Sequence, residues 1–248
     1  MSHSAAFALH LGIDYVGQPS QLGGCRNDVS NMIEYLDGEA KLRFEKRWVG
    51  AETRIAGDDG AERFQPTSAG IRQAMAELMA AVKVSPAKWK YVLFQVSSHG
   101  SQIRDTSGDE VDGLDEVIVP LDYAAGGKMI SDDELCAWIK ELPAEIWVCA
   151  DLCRSGTLFD LAEAGDAFRG FQLSSCKDSQ TAADAIIENT GQGAGTACLL
   201  KALRESRSGD YNDIIRIVYD GILGGGYTQR PRAYARGTMK LFDCWPTK

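Results

Sequence analysis

Short apolar runs ending on Gly, Ser or Asp alternate along this chain with longer stretches in which apolar residues recur every three or four positions. A run such as IWVCA (146–150) has no polar face, so as a strand it must be covered on both sides. Helices on both faces of a parallel sheet supply that cover. The pattern therefore predicts an α/β fold with six strands in a mostly parallel sheet, at 6–14, 43–49, 90–97, 145–150, 168–174 and 238–242. Helices are expected after Asn27 and Asp28, where Val29, Met32, Ile33 and Leu36 share a face, and from Thr67, where Ile71, Met75, Leu78 and Met79 do. Further helical patterns lie at 131–142, 195–205 and 212–219, and the polar segments 50–66 and 224–232 read as loops.

At 248 residues, with 44% hydrophobic and 25% charged side chains, the chain can bury one large core, and a single unit over 1–248 is the simplest organisation. Its longest apolar runs fall far short of the ~20 residues of a membrane span, and the N-terminus lacks the basic and apolar regions of a secretory signal. A cytoplasmic location is the expectation. Seven cysteines, scattered and never spaced as CxxC, argue against a disulfide framework and against a zinc site. A formal charge of -9 disfavours nucleic acid and anionic membrane as partners and suits a cationic substrate.

In an open α/β sheet the ligand crevice lies beyond the carboxyl ends of the strands, which directs attention to SSHG (97–100) and DLCRSG (151–156). Of the three histidines, His3 sits in a terminal tail and His10 inside a strand, leaving His99 as the one placed for chemistry. A thiol that attacks a carbonyl must lose its proton to a nearby base, and an imidazole suits that task. Cys153 and His99 fit these two roles, with Gly100 and the Cys153 amide as candidate oxyanion donors.

These segments resemble the metacaspases, the Arg/Lys-specific branch of the caspase-like peptidases. The resemblance runs through ALHLGID (8–14), LGGCRNDV (22–29), SHGSQ (98–102), GDEVDGLDEVIVPLD (108–122), the cysteine segment, SSCKDSQTAAD (174–184) and QRP (229–231). The interval from His99 to Cys153 also matches the roughly 50 residues that separate the two in caspases. The resemblance implies a caspase-like fold, with a larger segment over about 1–165 followed directly by a smaller one over 166–248. One departure is Arg154, where metacaspases commonly carry His; caspases and paracaspases often place Arg there, which leaves the subfamily open between metacaspase and paracaspase.

The resemblance further implies that Cys25, Asp28, Ser97 and Asp151 line the pocket for the residue before the scissile bond. Two partly buried carboxylates there select Arg or Lys over neutral or acidic side chains. Asp28 also fits a first-turn acid of its helix, and Asp151 a strand-end turn residue. By the same resemblance an activating calcium ion is expected at Asp115, Asp132, Asp133 and Asp160, although Asp132 and Asp133, preceded by Ser131, equally fit the charged first turn of a helix. The acidic run 109–112 lacks the spacing of an EF-hand and reads as a solvated loop with a gating role.

The expected activity is hydrolysis of protein or peptide substrates through an acyl-thioester at Cys153, without a redox or nucleotide cofactor, by a monomer. Arg169 and Lys177 are candidate self-cleavage points or simple surface bases. A scaffold that keeps the fold without catalysis is the rival from another class.

Overall fold

A computed structural model describes residues 4–108, 110, 112–153, 156, 158–159, 169–176, 184–187, 190–206, 209–237 and 245–247. In chain order its strands are β1 (Ser4–Gly12), β2 (Lys46–Gly50), β3 (Glu62–Phe64), β4 (Trp89–Ser97), β5 (Gly100–Arg104), β6 (Leu114–Ile118), β7 (Ile130–Ser131), β8 (Glu145–Asp151), β9 (Gly170–Ser174), β10 (Asp184–Ile187), β11 (Thr190–Gly193) and β12 (Arg232–Arg236). The helices are α1 (Cys25–Glu34), α2 (Ser68–Val84), α3 (Asp132–Lys140), α4 (Ala194–Glu205) and α5 (Tyr211–Gly224), with a π-helical turn, Tyr35–Glu39, extending α1. Among the described residues no helix is long and apolar enough to cross a membrane.

Seven strands form the central sheet in the order β12-β9-β8-β4-β1-β2-β3, parallel throughout except for β12, which runs antiparallel to β9. The period of two along each strand separates two cores. Phe7, Leu9 and Leu11 of β1 and Val92, Phe94 and Val96 of β4 face α2 and α3, where Ile71, Met75, Leu78, Leu135 and Ile139 cover them. The alternate residues, Ala6 and Ala8 of β1 with Leu93 of β4 and Trp147 of β8, face Met32, Leu199, Ile214 and Val218 of α1, α4 and α5. Helix α2 starts where Thr67 accepts the Gly70 N–H at 3.1 Å, as its sequence signal predicted.

The sheet has seven strands rather than the expected six, and both edges explain the difference. β3 lies within the expected loop 50–66; with three residues, two of them charged and exposed, it carries no apolar run. At the other edge β12, RAYAR, is largely exposed, and only its ladder to β9 makes it a strand. The sixth strand expected at 238–242 lies outside the described residues. After His99, β5, β6 and β7 form a small antiparallel sheet, and the segment read as an acidic loop lies between β5 and β6. Near the C-terminus, Trp245 packs 5.2 Å from the Tyr91 ring and Thr247 bridges Leu42, tying the last residues to the centre of the fold.

Candidate active site

The chain moves outward from β1 through β2 to β3 and then returns on the other side of β1 with β4, so the sheet's switch point lies between β1 and β4. Beyond the carboxyl ends of these strands and β8 the candidate residues collect. Ser97 is the register partner of Gly12 on one side and of Asp151 on the other. His99 and Cys153 each follow two residues after that row, which puts the two segments side by side. A Cβ at Gly100 would lie 2.0 Å from the Cys153 carbonyl oxygen and 2.8 Å from Leu152 Cδ1, so the His99-Gly100 backbone packs directly on that of Cys153 and only glycine permits the approach. The Cys153 thiol is half-buried, and Cys176 donates to the Leu152 carbonyl at 3.3 Å, tethering the residue ahead of it to the end of β9.

His99 Nε2 lies 2.6 Å from the Ser20 carbonyl oxygen. A carbonyl can only accept, so Nε2 carries the ring proton and Nδ1 keeps its lone pair for proton transfer. The sequence offered no signal for Ser20, because its contribution is a main-chain atom.

The pocket residues converge as well. Asp28 is 0% exposed; its Oδ2 accepts the Ser97 hydroxyl at 2.5 Å, and its two oxygens accept the Gly193 N–H at 2.9 and 3.1 Å. Asp151, 5% exposed, accepts the Thr196 N–H at 2.6 Å. A Cβ at Gly193 would meet Asp151 Oδ2 at 2.2 Å and Asp28 Oδ2 at 2.8 Å, so both carboxylates close on one glycine. Gly193 is the N-cap of α4, whose N-terminal partial positive charge offsets the repulsion between the two acids.

Asp28 is the acid of the first turn of α1 while its carboxylate is turned to Ser97 and Gly193. The N–H at the start of that helix is held by Asp14, which accepts the Cys25 N–H at 2.8 Å and pairs with Arg26 at 2.6 Å. Cys25 is buried at the start of α1, one turn before Asp28. Gly193 and Thr196, which hold the two candidate pocket acids, had only a faint mark in the sequence, the glycine-rich run GQG (191–193) directly before a helix. Gln229, within the expected surface loop, is buried and donates to the Ser175 carbonyl at 3.1 Å.

Behind the pocket, Gln95 donates to the Asp28 carbonyl at 2.9 Å and accepts from His10 Nδ1 at 2.6 Å. Burial drives the His10 pKa down to about 3, so this imidazole is neutral and structural.

Of the residues expected to hold calcium, Asp115 and Asp132 are buried, Asp133 is partly exposed and Asp160 lies outside the described residues, as do Arg154 and Lys177. Ser131 caps α3 through the Glu134 N–H at 3.4 Å, which places Asp132 and Asp133 in the helix's first turn. Asp132 also reaches out of its helix to accept the Glu116 N–H at 2.6 Å. Among the described residues the carboxylates that converge are Glu110, Glu116 and Asp132, with ligand atoms within 4.8 Å of one another, and of these Asp132 belongs to the expected set. Burial, together with Glu116 and Asp115, lifts the Asp132 pKa to about 8. Arg169, a candidate self-cleavage point, leads into β9, and its carbonyl accepts the Ile146 N–H at 2.8 Å, which keeps that bond in the sheet ladder.

The fold is that of caspases: a protein of Geobacter sulfurreducens superposes with a TM-score of 0.66 at 21% identity over 96% of this chain and 97% of its own. Caspase-1 of Spodoptera frugiperda does so with 0.51 at 13% identity over 96% and 88%. Metacaspase-1 of Pyricularia oryzae is 29% identical over 96% of this chain and 73% of its own length, and for metacaspase-1 of Coccidioides immitis, 28% identical over 91% of this chain, the share of its own length is 60%. The sequence model of the metacaspase peptidase C14 domain matches residues 7–162, and with this geometry and this match the chain belongs to the metacaspase family of peptidases.

Proposed function

We propose that this chain is a cysteine endopeptidase that cuts after Arg or Lys, with Cys153 as nucleophile and His99 as its proton-transfer partner. The observation that carries the specificity is the pair of buried carboxylates that close on Gly193: Asp151, two residues before the nucleophile and in register with Ser97, and Asp28 from the first turn of α1. Buried acids held by backbone N–H groups keep lone pairs for a cation as well, and a guanidinium supplies several N–H groups at once. An acidic side chain in the same place would bring a third negative charge.

In the reaction Cys153 Sγ attacks the carbonyl carbon while its proton passes to His99 Nδ1, and the amides of Gly100 and Cys153 stabilise the oxyanion. The proton then moves from Nδ1 to the leaving nitrogen as the C–N bond breaks. Water, losing a proton to the same Nδ1, hydrolyses the thioester and returns the thiol. The Ser20 carbonyl holds the tautomer throughout.

Calcium stimulation belongs to the proposal. Asp132 with Glu110 and Glu116 forms an all-oxygen donor set suited to a hard cation, and the ion when bound would supply positive charge among these crowded acids. One assay matrix tests the whole reading: Arg, Lys and Asp peptides, with calcium or with chelator, for the wild type and Cys153→Ala. The expected result is Arg and Lys cleavage, raised by calcium and abolished in Cys153→Ala; best cleavage of the Asp peptide, or activity in Cys153→Ala, overturns it. Folded, unlabelled protein after treatment with an Arg-directed chloromethylketone would favour a non-catalytic scaffold.

A further inference from the structure

We infer that Tyr15 is the positioning residue of His99, an inference that rests on the proposed role of His99. Three residues beyond β1, Tyr15 has φ of 54°, the left-handed region that a bulky side chain enters only against steric strain. It is 0% exposed, so this is no frayed turn. Strain of this kind persists where the surroundings enforce it, and it gathers at functional sites.

The strained backbone brings the ring beneath the imidazole, with centroids 4.7 Å apart and planes tilted by 38°. At the far end of the ring, the hydroxyl accepts the His99 N–H at 3.2 Å and donates to the Val119 carbonyl at 2.5 Å. The His99 carbonyl in turn accepts the Val119 N–H at 3.1 Å. Tyr15 therefore completes a two-bond bridge between the exits of β4 and β6, standing in for a direct N–H to carbonyl bond. Burial raises the phenol pKa well above its ordinary value, so the hydroxyl keeps its proton and its donor role over the working pH range.

The other contacts of His99 belong to the same assembly. Ser20, which holds Nε2, is linked through its hydroxyl to that of Tyr123 at 2.9 Å, and the Tyr123 ring meets the Tyr15 ring edge-on at 6.1 Å. With its backbone bridged, one ring nitrogen bonded and the tilted Tyr15 ring against one face, the imidazole keeps Nδ1 as its atom for proton transfer among the described residues. The ring contact has a second effect. An aromatic face attracts the imidazolium formed when Cys153 ionises, so Tyr15 favours the thiolate–imidazolium pair.

Tyr15→Phe keeps the ring and removes the bridge; Tyr15→Leu removes both. Each full-length variant is compared with His99→Ala for kcat and KM on an Arg peptide, for the pH dependence of Cys153 alkylation by iodoacetamide, and for Tm. The expected result is a fall in kcat of at least tenfold for Tyr15→Phe with KM within twofold. For Tyr15→Leu the ionisation limb of alkylation also moves to higher pH. Wild-type kcat in folded Tyr15→Phe overturns the inference, as does a loss of kcat that only follows the folded fraction with an unmoved alkylation profile. Should Tyr15→Leu not fold, Tyr15→Phe and its kcat decide alone. Full activity in His99→Ala is a separate failure, that of the dyad itself.

Discussion

Asp151→Asn removes one charge from the pocket and changes little else. Asp151 is buried and already accepts the Thr196 N–H at 2.6 Å, a bond that the amide oxygen of Asn can keep. The amide NH2 then faces the place where a substrate guanidinium would seek an acceptor. Truncating one partner of a buried hydrogen-bonded charge pair costs 2–5 kcal/mol, and because Asp28 still supplies a carboxylate the lower end applies. A loss of about 2–3 kcal/mol is roughly 30- to 150-fold in kcat/KM for Arg and Lys peptides. A peptide with Gln before the scissile bond, weak to begin with, should be unaffected. Alkylation of Cys153 by iodoacetamide, a small neutral reagent, should keep its wild-type rate, and Tm should not fall. An equal loss on Arg and Gln peptides, or no loss on Arg, would refute the assignment of Asp151 to the cation pocket.

Gly100→Ala places a methyl group 2.0 Å from the Cys153 carbonyl oxygen, against backbone that has no rotamer to escape into; a loss of stability of about 3 kcal/mol and at least a hundredfold loss of activity are expected from urea unfolding and turnover. His10 takes a proton at pH near 6.5 in the unfolded chain but not until about 3 in the folded one, so the unfolded state binds more protons over that interval and stability falls as pH drops through it, by on the order of 4 kcal/mol. His10→Gln should flatten that slope, measured as unfolding free energy against pH; an unchanged slope would place the acid sensitivity elsewhere. Asp132 has the opposite sign: its pKa rises from 3.8 to about 8 on folding, so the folded state holds the extra proton and stability falls as pH rises through that window. Calcium bound as proposed would compete with that proton, and the Tm gain on adding calcium should then be larger at pH 8 than at pH 5. Trp245→Ala removes a buried ring from Tyr91 and Phe44 and should cost about 3 kcal/mol in chemical denaturation while leaving kcat unchanged in the folded protein.

What the sequence by itself determined was everything carried by side-chain type and local period. Buried parallel strands announce themselves as apolar runs, so β1, β4 and β8 and the helices over them were legible, and with them the positions of Ser97, His99, Asp151 and Cys153 at or just after strand ends and of Asp28 in the first turn of α1. The edge strands β3 and β12 were not, because an exposed edge needs no apolar run and exists only through its ladder to a neighbour. Tertiary structure alone decided which atoms face one another. It drew the acids Asp28 and Asp151 to the N-terminus of α4 from elements far apart in the chain, brought the carboxylates of Glu110 and Glu116 to that of Asp132, and gave His99 its tautomer through the Ser20 carbonyl. Main-chain atoms and convergent contacts leave no mark in residue identity, and for that reason the dyad could be named from the sequence while what holds it in place could not.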